Sequence, residues 1–221
     1  MTKEIGTKKK LIIIHGLNNS MSAMNELGHA LSEQFNIIYV RLPHHGNNPI
    51  RFNFASVLDE FRNELNKHLD PNALILSYSL GCAYLQLLLE NKTLTHPLHR
   101  IIYLSPALKT KFNIGRFRFL PPFLPIPSLS PRHIRLRHFC YWGQYLTLYQ
   151  LTQGLKLQVY PTIFADPADE LIDLAGLEYN NLRRDYLSYG EHHLTIDPRY
   201  FKNDEWDKLM RQIIVRFQSE T

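Results

Sequence analysis

The stretch SYSLG at 77–81 joins two apolar segments of different character. The residues before it, ALILS at 73–77, form a short apolar run typical of a buried strand, whereas residues 80–92 repeat apolar positions at helical spacing. Ser79 therefore lies at the tip of a sharp strand-to-helix turn, where a nucleophile elbow exposes a hydroxyl beside a helix N-terminus. This geometry predicts Ser79 as a nucleophile and the N–H of Leu80 as an oxyanion donor. The alternative is that Ser79 serves only as a helix N-cap.

The elements that would position this turn are short apolar blocks that alternate with helical stretches. The blocks are nearly continuous in apolar residues, as strands buried on both faces of a parallel sheet should be. We expect an α/β fold with a doubly wound, mostly parallel sheet of about six strands in one domain covering 1–221. The predicted strands are 11–15, 36–42, 73–77, 100–105 and 157–165, and the predicted helices are 21–34, 54–69, 80–92, 170–184 and 204–218.

One segment, at about 108–154, breaks this alternation with several prolines and many aromatic residues. Proline removes backbone donors and breaks helices, so the first half of the segment should be irregular. In open α/β sheets, a long excursion after the carboxyl end of a strand lies over the ligand crevice. We therefore expect a proline-rich lid or cap insertion, with a long surface loop as the alternative.

The turn and four other motifs together resemble the α/β-hydrolase superfamily, in particular its small carboxylesterase-like and lysophospholipase-like members. HGL at 15–17 is similar to the superfamily's oxyanion loop, and LPHHGNNP at 42–49 is similar to its P-G-H-G-x-x-P loop. FADPADELID at 164–173 resembles its acid loop, and YGEHHLTIDP at 189–198 resembles its histidine loop. The resemblance covers nearly the whole chain and implies a reduced form of that fold, which starts at the third strand of a full-sized member.

This resemblance implies a triad of Ser79, Asp169 and His192, in the chain order that the fold uses, and the N–H of Leu17 as a second oxyanion donor. A serine hydroxyl is a weak nucleophile at neutral pH, so His192 would take its proton during attack on an acyl carbon and return it to the leaving group. Asp169 would fix the imidazole tautomer, and the two backbone N–H groups would stabilise the oxyanion. Water would then hydrolyse an acyl-enzyme on Ser79.

The acid and the base of the predicted triad each have an alternative candidate nearby in the chain. Asp166 is a rival acid, although Asp-Pro at 166–167 is also a turn former, and His193 is a rival base. His15 and His45 are expected to organise loops through hydrogen bonds. His44 and His45 do not indicate a metal site, because adjacent side chains diverge and no carboxylate or cysteine nearby completes a ligand set. We expect neither a metal nor a cofactor.

Charge is distributed unevenly along the chain. Ten lysines and arginines, and no acidic residue, lie between Glu90 and Asp166, although the formal net charge of the whole chain is only +5. The remainder is therefore net acidic. The basic interval could steer an anionic substrate or contact an anionic membrane surface, or could simply be a solvated face.

Cysteine content and hydropathy bear on the compartment. Cys82 and Cys140 fit neither a disulfide framework nor a zinc ligand set. No apolar run approaches the length that a bilayer requires, and the lysine-rich start precedes only a four-residue apolar block. We therefore expect a cytoplasmic protein.

These features together predict a serine hydrolase that cleaves carboxylic acyl esters, with an apolar or amphiphilic substrate such as a lysophospholipid. Candidate lid residues for contact with the substrate are Phe117, Phe119, Phe123 and Leu124. The alternative is a non-catalytic binding module of the same fold, whose basic, aromatic lid contacts an anionic membrane surface or a partner. Nucleic-acid binding is not expected, because no module signature accompanies the basic residues. The sequence does not indicate an oligomeric state.

Overall fold

The computed structural model describes residues 8–17, 24–43, 54–111, 119–121, 123–127, 139–169, 171–181, 198, 201 and 204–219. Six of its strands form one sheet with every neighbouring pair parallel, in the order β2-β1-β3-β4-β7-β8. The other two, β5 and β6, form a small antiparallel ribbon. The strands are β1 (Lys9–Ile14), β2 (Phe35–Val40), β3 (Leu74–Tyr78), β4 (Ile101–Leu104), β5 (Pro125–Pro127), β6 (Phe139–Tyr141), β7 (Thr162–Ala165) and β8 (Asn180–Asn181).

Helices cover both faces of the sheet because its central strands are apolar on both sides. Successive strand residues point to opposite faces, so Ile12 and Ile14 pack in one core cluster while Leu11 and Ile13 pack in the other. The helices in the described residues are α1 (Asn25–Leu31), α2 (Phe54–Asn66), α3 (Leu80–Glu90), α4 (Trp142–Gly154) and α5 (Glu205–Gln218). Side chains of α2, α3 and α4 belong to the first cluster, and side chains of α1 and α5 belong to the second. No helix in the described part of the chain is both long and apolar enough to cross a membrane.

The predicted α/β fold with a parallel, doubly wound sheet is confirmed, and two predicted elements need correction. The predicted strand at 157–165 begins only at Thr162. The predicted helix at 170–184 is wrong over the residues that the structure describes there, because residues 171–181 are non-helical and contain β8. Within the predicted lid, residues 142–154 form α4, whose buried residues pack on the core.

The connection from α4 to β7 is held in place by Glu90 at the end of α3. Its carboxylate accepts the backbone N–H of Lys156 at 2.7 Å and that of Leu157 at 2.9 Å. Leu157 has a φ of 52°, which is incompatible with an extended strand. The buried Gln86 donates both to Glu90 at 2.8 Å and to the carbonyl of Val159 at 2.9 Å. These bonds explain why β7 starts later than the apolar pattern suggests.

His15 ties the loop after β1 to the end of β2. Its Nε2 accepts the backbone N–H of Leu42 at 3.1 Å, and its Nδ1 lies 2.9 Å from the carbonyl oxygen of Gly16. An amide can only donate, so the ring is the neutral tautomer with the proton on Nδ1, which donates to Gly16. Burial lowers the pKa of His15, and the charge of Arg41 lowers it further, while the Gly16 bond opposes both. The described geometry agrees with the loop-organising role expected of His15.

This arrangement predicts a pH dependence of stability. In the unfolded chain, His15 should take up a proton near pH 6.5, whereas the folded protein holds it neutral to lower pH. The free energy of unfolding should therefore fall as the pH falls from about 7.5 to about 5.5. The free energy of unfolding of His15→Gln should fall less over that pH interval, because the variant lacks this titrating group. At about pH 7.5 the variant should be less stable than wild type by about 1–3 kcal/mol, because the Leu42 N–H loses its ring acceptor.

Urea unfolding at several pH values measures both effects. Burial also lowers the pKa of His96, but His96 contributes equally in the wild type and the variant, so the difference between them isolates His15. Parallel pH curves for the two proteins would contradict the prediction.

Candidate active site

Ser79 lies between β3 and α3 in a backbone conformation that residues other than glycine rarely adopt. Its φ is 51° and its ψ is −118°, a conformation that costs of order 1–3 kcal/mol and persists only where the surroundings impose it. The Ser79 N–H donates to the carbonyl of Leu104 at 3.0 Å. The Ser79 carbonyl accepts the N–H of Cys82 at 3.0 Å and that of Ala107 at 3.1 Å. Three backbone hydrogen bonds therefore hold the sharp turn that the sequence predicts.

Two glycines allow the neighbouring segments to approach this turn. A Cβ on Gly81 would lie 2.7 Å from Ile14 Cγ2 and 2.8 Å from the carbonyl oxygen of His15, too close for a real side chain. A Cβ on Gly16 would lie 2.8 Å from the Cβ of Ser79. The loop after β1 therefore passes directly against the turn, and both positions require glycine for close approach.

Ser77 occupies the first small position of the turn. Its side chain is fully buried, and its Oγ has no hydrogen-bond partner in the part of the chain that the structure describes. The thiol of Cys82 donates to the Ser77 carbonyl at 3.1 Å. Burial raises the pKa of Cys82 far above the ordinary value for a thiol, so this cysteine is a neutral, enclosed group rather than a nucleophile.

The two predicted oxyanion donors lie on opposite sides of Ser79 in the chain. Leu80 is the first residue of α3, a helix of 11 residues, so its N–H belongs to the helix N-terminus, where the first N–H groups have no intrahelical acceptor. Leu17 follows Gly16, which packs against the Cβ of Ser79. These placements are compatible with an oxyanion hole for Leu17 and Leu80, which stays a prediction.

The two candidate acids both follow β7 and are both buried. Asp169 is 1% exposed, and its Oδ1 accepts the N–H groups of Leu171 at 2.8 Å and Ile172 at 3.1 Å. Asp166 is 2% exposed, its Oδ1 accepts the N–H of Ala168 at 2.8 Å, and its carbonyl accepts the N–H of Asp169 at 3.0 Å. Asp166 thus makes the turn that its Asp-Pro sequence indicates. The role of Asp169 as the acid stays a prediction.

The remaining predicted site residues divide between described and undescribed parts of the chain. His192, His193, His45 and Phe117 lie outside the described residues. Phe119 is 76% exposed and Phe123 is 65% exposed. By contrast, the half-buried side chains of Leu120 and Leu124 pack on a cluster formed by Trp142, Tyr145 and Leu146. Leu17 packs on the same cluster.

Sequence reasoning missed the residues that follow β4. Ser105 is fully buried with a φ of 43°, and its N–H donates to the carbonyl of Phe164 on β7 at 2.8 Å. Two residues on, Ala107 bonds the carbonyl of Ser79. The available signal was the dipeptide Ser-Pro at 105–106 directly after a predicted strand, which favours a turn at the same sheet edge as Ser79.

The described residues contain no group of three or more histidine, cysteine, aspartate or glutamate side chains arranged to hold a metal ion.

No protein-family model matches the chain, and no curated protein matches it in sequence. Solved structures do resemble it. A soluble variant of monoglyceride lipase from Saccharomyces cerevisiae, in complex with a substrate analog, has a TM-score of 0.68 at 10% identity, covering 100% of this chain and 89% of its own. A structure of the metagenome-derived lipolytic enzymes LipS and LipT has a TM-score of 0.63 at 14% identity, covering 97% and 95%.

A third similar structure is named for a reaction other than lipid hydrolysis. The haloalkane dehalogenase DbeA from Bradyrhizobium elkani has a TM-score of 0.60 at 12% identity, covering 98% of this chain and 93% of its own. At such identities the likeness establishes the fold, while activity depends on the residues of the site. The sheet order, the strained turn at Ser79 and these likenesses agree, and the protein has the α/β-hydrolase fold.

Proposed function

We propose that the protein is a serine hydrolase that cleaves carboxylic acyl esters, with Ser79 as the nucleophile. The observation that carries this proposal is the backbone of Ser79, held at φ 51° between a buried parallel strand and a helix N-terminus. Backbone strain of this kind is imposed by the surrounding structure and clusters at active sites. The packing of Gly16 against Ser79 and the burial of Asp169 in the loop after β7 support the same reading.

In the proposed reaction, the Ser79 oxygen attacks the acyl carbon while His192 takes the hydroxyl proton. The N–H groups of Leu17 and Leu80 stabilise the resulting oxyanion, and Asp169 stabilises the imidazolium. Collapse of the tetrahedral intermediate breaks the bond to the leaving alcohol, which receives the proton from His192. A water molecule then attacks the acyl-enzyme with His192 again as the base, releasing the acid and restoring Ser79.

The apolar surroundings of the turn favour an apolar or amphiphilic acyl group. Leu17 and the inward-packed Leu124 contact the same aromatic cluster, so apolar surface lies beside the predicted oxyanion loop. Two of the similar solved structures are named as a monoglyceride lipase and as lipolytic enzymes. Both observations support an acyl chain as part of the substrate, and the basic interval between Glu90 and Asp166 supports an anionic group elsewhere on it.

The nucleophile is tested by labelling with a fluorophosphonate, followed by mass mapping of the adduct. The wild-type protein should be labelled at Ser79, and both Ser79→Ala and His192→Ala should lose at least about 99% of the labelling rate, because they remove the nucleophile or its base. Ser77→Ala is the matched control, since it removes a buried serine hydroxyl from the same turn and should label normally. A folded wild-type protein that does not react would overturn the proposal.

The acid is tested by comparing Asp169→Asn with Asp166→Asn. Each variant keeps the shape of a buried side chain and removes a carboxylate from the same loop. Asp169→Asn should lower kcat for a soluble p-nitrophenyl ester by roughly 10³- to 10⁴-fold, because the imidazole loses the partner that fixes its tautomer. Asp166→Asn should lower kcat far less at a similar thermal midpoint. The reverse ranking would assign the acid to Asp166.

A second candidate function, docking to an anionic lipid surface, is favoured by two exposed aromatic side chains. Phe119 and Phe123 are exposed, whereas Leu120 and Leu124 between and beside them pack inward. They lie within the interval that carries ten basic and no acidic residues. Aromatic side chains beside basic residues suit an interface with anionic headgroups. Under this reading the protein binds membranes whether or not it hydrolyses esters.

Vesicle sedimentation tests whether the protein docks to anionic lipid or whether its basic interval is only a solvated face. Wild-type protein should sediment with phosphatidylserine-containing vesicles, less with pure phosphatidylcholine, and less again at about 0.5 M salt. The double variant Phe119→Ser/Phe123→Ser should lose most of this binding. The matched control is Val159→Ser/Val215→Ser, which removes two exposed apolar side chains outside 119–127 and should bind as wild type. Equal effects of the two double variants would exclude docking through the phenylalanines.

A further inference from the structure

A short segment after β4, residues 105–111, links the nucleophile turn to the loop that carries the acid. We call it the β4 strap. On one side, the N–H of Ala107 donates to the carbonyl of Ser79 at 3.1 Å, and Leu108 is fully buried in the core. The strap therefore shares a backbone hydrogen bond with the very residue whose strained conformation defines the site.

On its other side, the strap pairs with the segment after β7, residues 166–169 and 171–175, which is called the acid loop from here on because it contains both candidate acids. Thr110 forms an antiparallel bridge with Ile172, the N–H of Lys111 donates to the carbonyl of Leu171 at 3.0 Å, and the N–H of Asp173 donates to the carbonyl of Lys109 at 3.0 Å. This pairing is a local strand-like contact between two loops that are distant in the chain. It fixes the acid loop relative to the turn at Ser79.

Two lysine side chains of the strap add bonds to the same loop, at different places. The ammonium group of Lys111 donates to the backbone carbonyl of Asp169, and the ammonium group of Lys109 donates to the carbonyl of Ala175 at 2.9 Å. The carboxylate of Asp169 accepts the N–H groups of residues 171 and 172, so the orientation of the carboxylate depends on the backbone that follows Asp169. A donor on the Asp169 carbonyl thus restrains the peptide from which the carboxylate extends.

We propose that Lys111 is a positioning residue for the acid: its ammonium group holds the carbonyl of Asp169 and so fixes where the carboxylate meets the base. This inference rests on the proposed function, because it assigns a role within that reaction. Its physical basis is that a charge-assisted hydrogen bond to a carbonyl is stronger than a neutral one. A small displacement of a catalytic group can lower the rate strongly without changing substrate affinity.

The experiment compares three variants with wild type in steady-state hydrolysis of p-nitrophenyl butyrate and in thermal unfolding. Lys111→Met keeps the apolar stem and removes the donor, and Lys111→Arg keeps a cationic donor. Lys109→Met is the matched control, because it removes the corresponding lysine from the same strap and the same loop. We expect Lys111→Met to lower kcat by roughly tenfold with KM unchanged, Lys111→Arg to recover most of kcat, and Lys109→Met to retain wild-type kcat.

The outcomes separate this inference from the proposed function. Suppose that wild type hydrolyses the ester but Lys111→Met and Lys109→Met have equal kcat, or that kcat falls only in step with the thermal midpoint. Lys111 then has no positioning role, and the proposed hydrolase function is unaffected. Failure of Lys111→Arg to recover kcat also overturns the role of the ammonium donor. If wild type neither hydrolyses esters nor reacts with a fluorophosphonate, the proposed function falls and the role of Lys111 falls with it.

Discussion

The site depends on how little space surrounds the backbone of Ser79. The turn holds a positive φ because strand, helix and the segment after β4 each contribute a hydrogen bond to it. Gly16 and Gly81 let the neighbouring loop and helix approach to distances that no Cβ could tolerate. Each of these contacts is made by a different part of the chain. The turn is consequently stable only inside the complete sheet, and local sequence alone could not maintain its geometry.

The parallel sheet brings the candidate groups together at one edge. All of its strands point the same way, so the loops after β1, β3, β4 and β7 leave the sheet on the same side. Those loops carry Gly16, Ser79, Ser105 and Asp169. The apolar side chains on both faces fix the strands by burial, at roughly 1.5–3 kcal/mol for each large residue removed from water. Core packing thereby sets distances between groups that lie about ninety positions apart in the chain, from Ser79 to Asp169.

The fold itself leaves the chemistry open, since proteins named as lipases and as a haloalkane dehalogenase share it. In this chain a serine lies at the strained turn, and a serine is one of the side chains that can act as a nucleophile in covalent catalysis. The apolar cluster beside Leu17 and the concentration of basic residues after Glu90 are the observations behind the proposed amphiphilic, anionic substrate.

The sequence by itself determined the order of the main strands and helices and the position of the turn at Ser79, because apolar periodicity and small residues at fixed spacing are local properties. It also placed both aspartates after a strand. It misread residues 171–181 as part of a helix, since it could not show that carboxylates of Asp166, Asp169 and Asp173 accept nearby N–H groups or that Thr110 pairs with Ile172. Only the tertiary structure decided the φ of Ser79, the bond between Lys111 and Asp169, and the neutral tautomer of His15. Each of these depends on atoms from segments distant in the chain, whose approach is fixed by the packed sheet rather than by neighbouring residues.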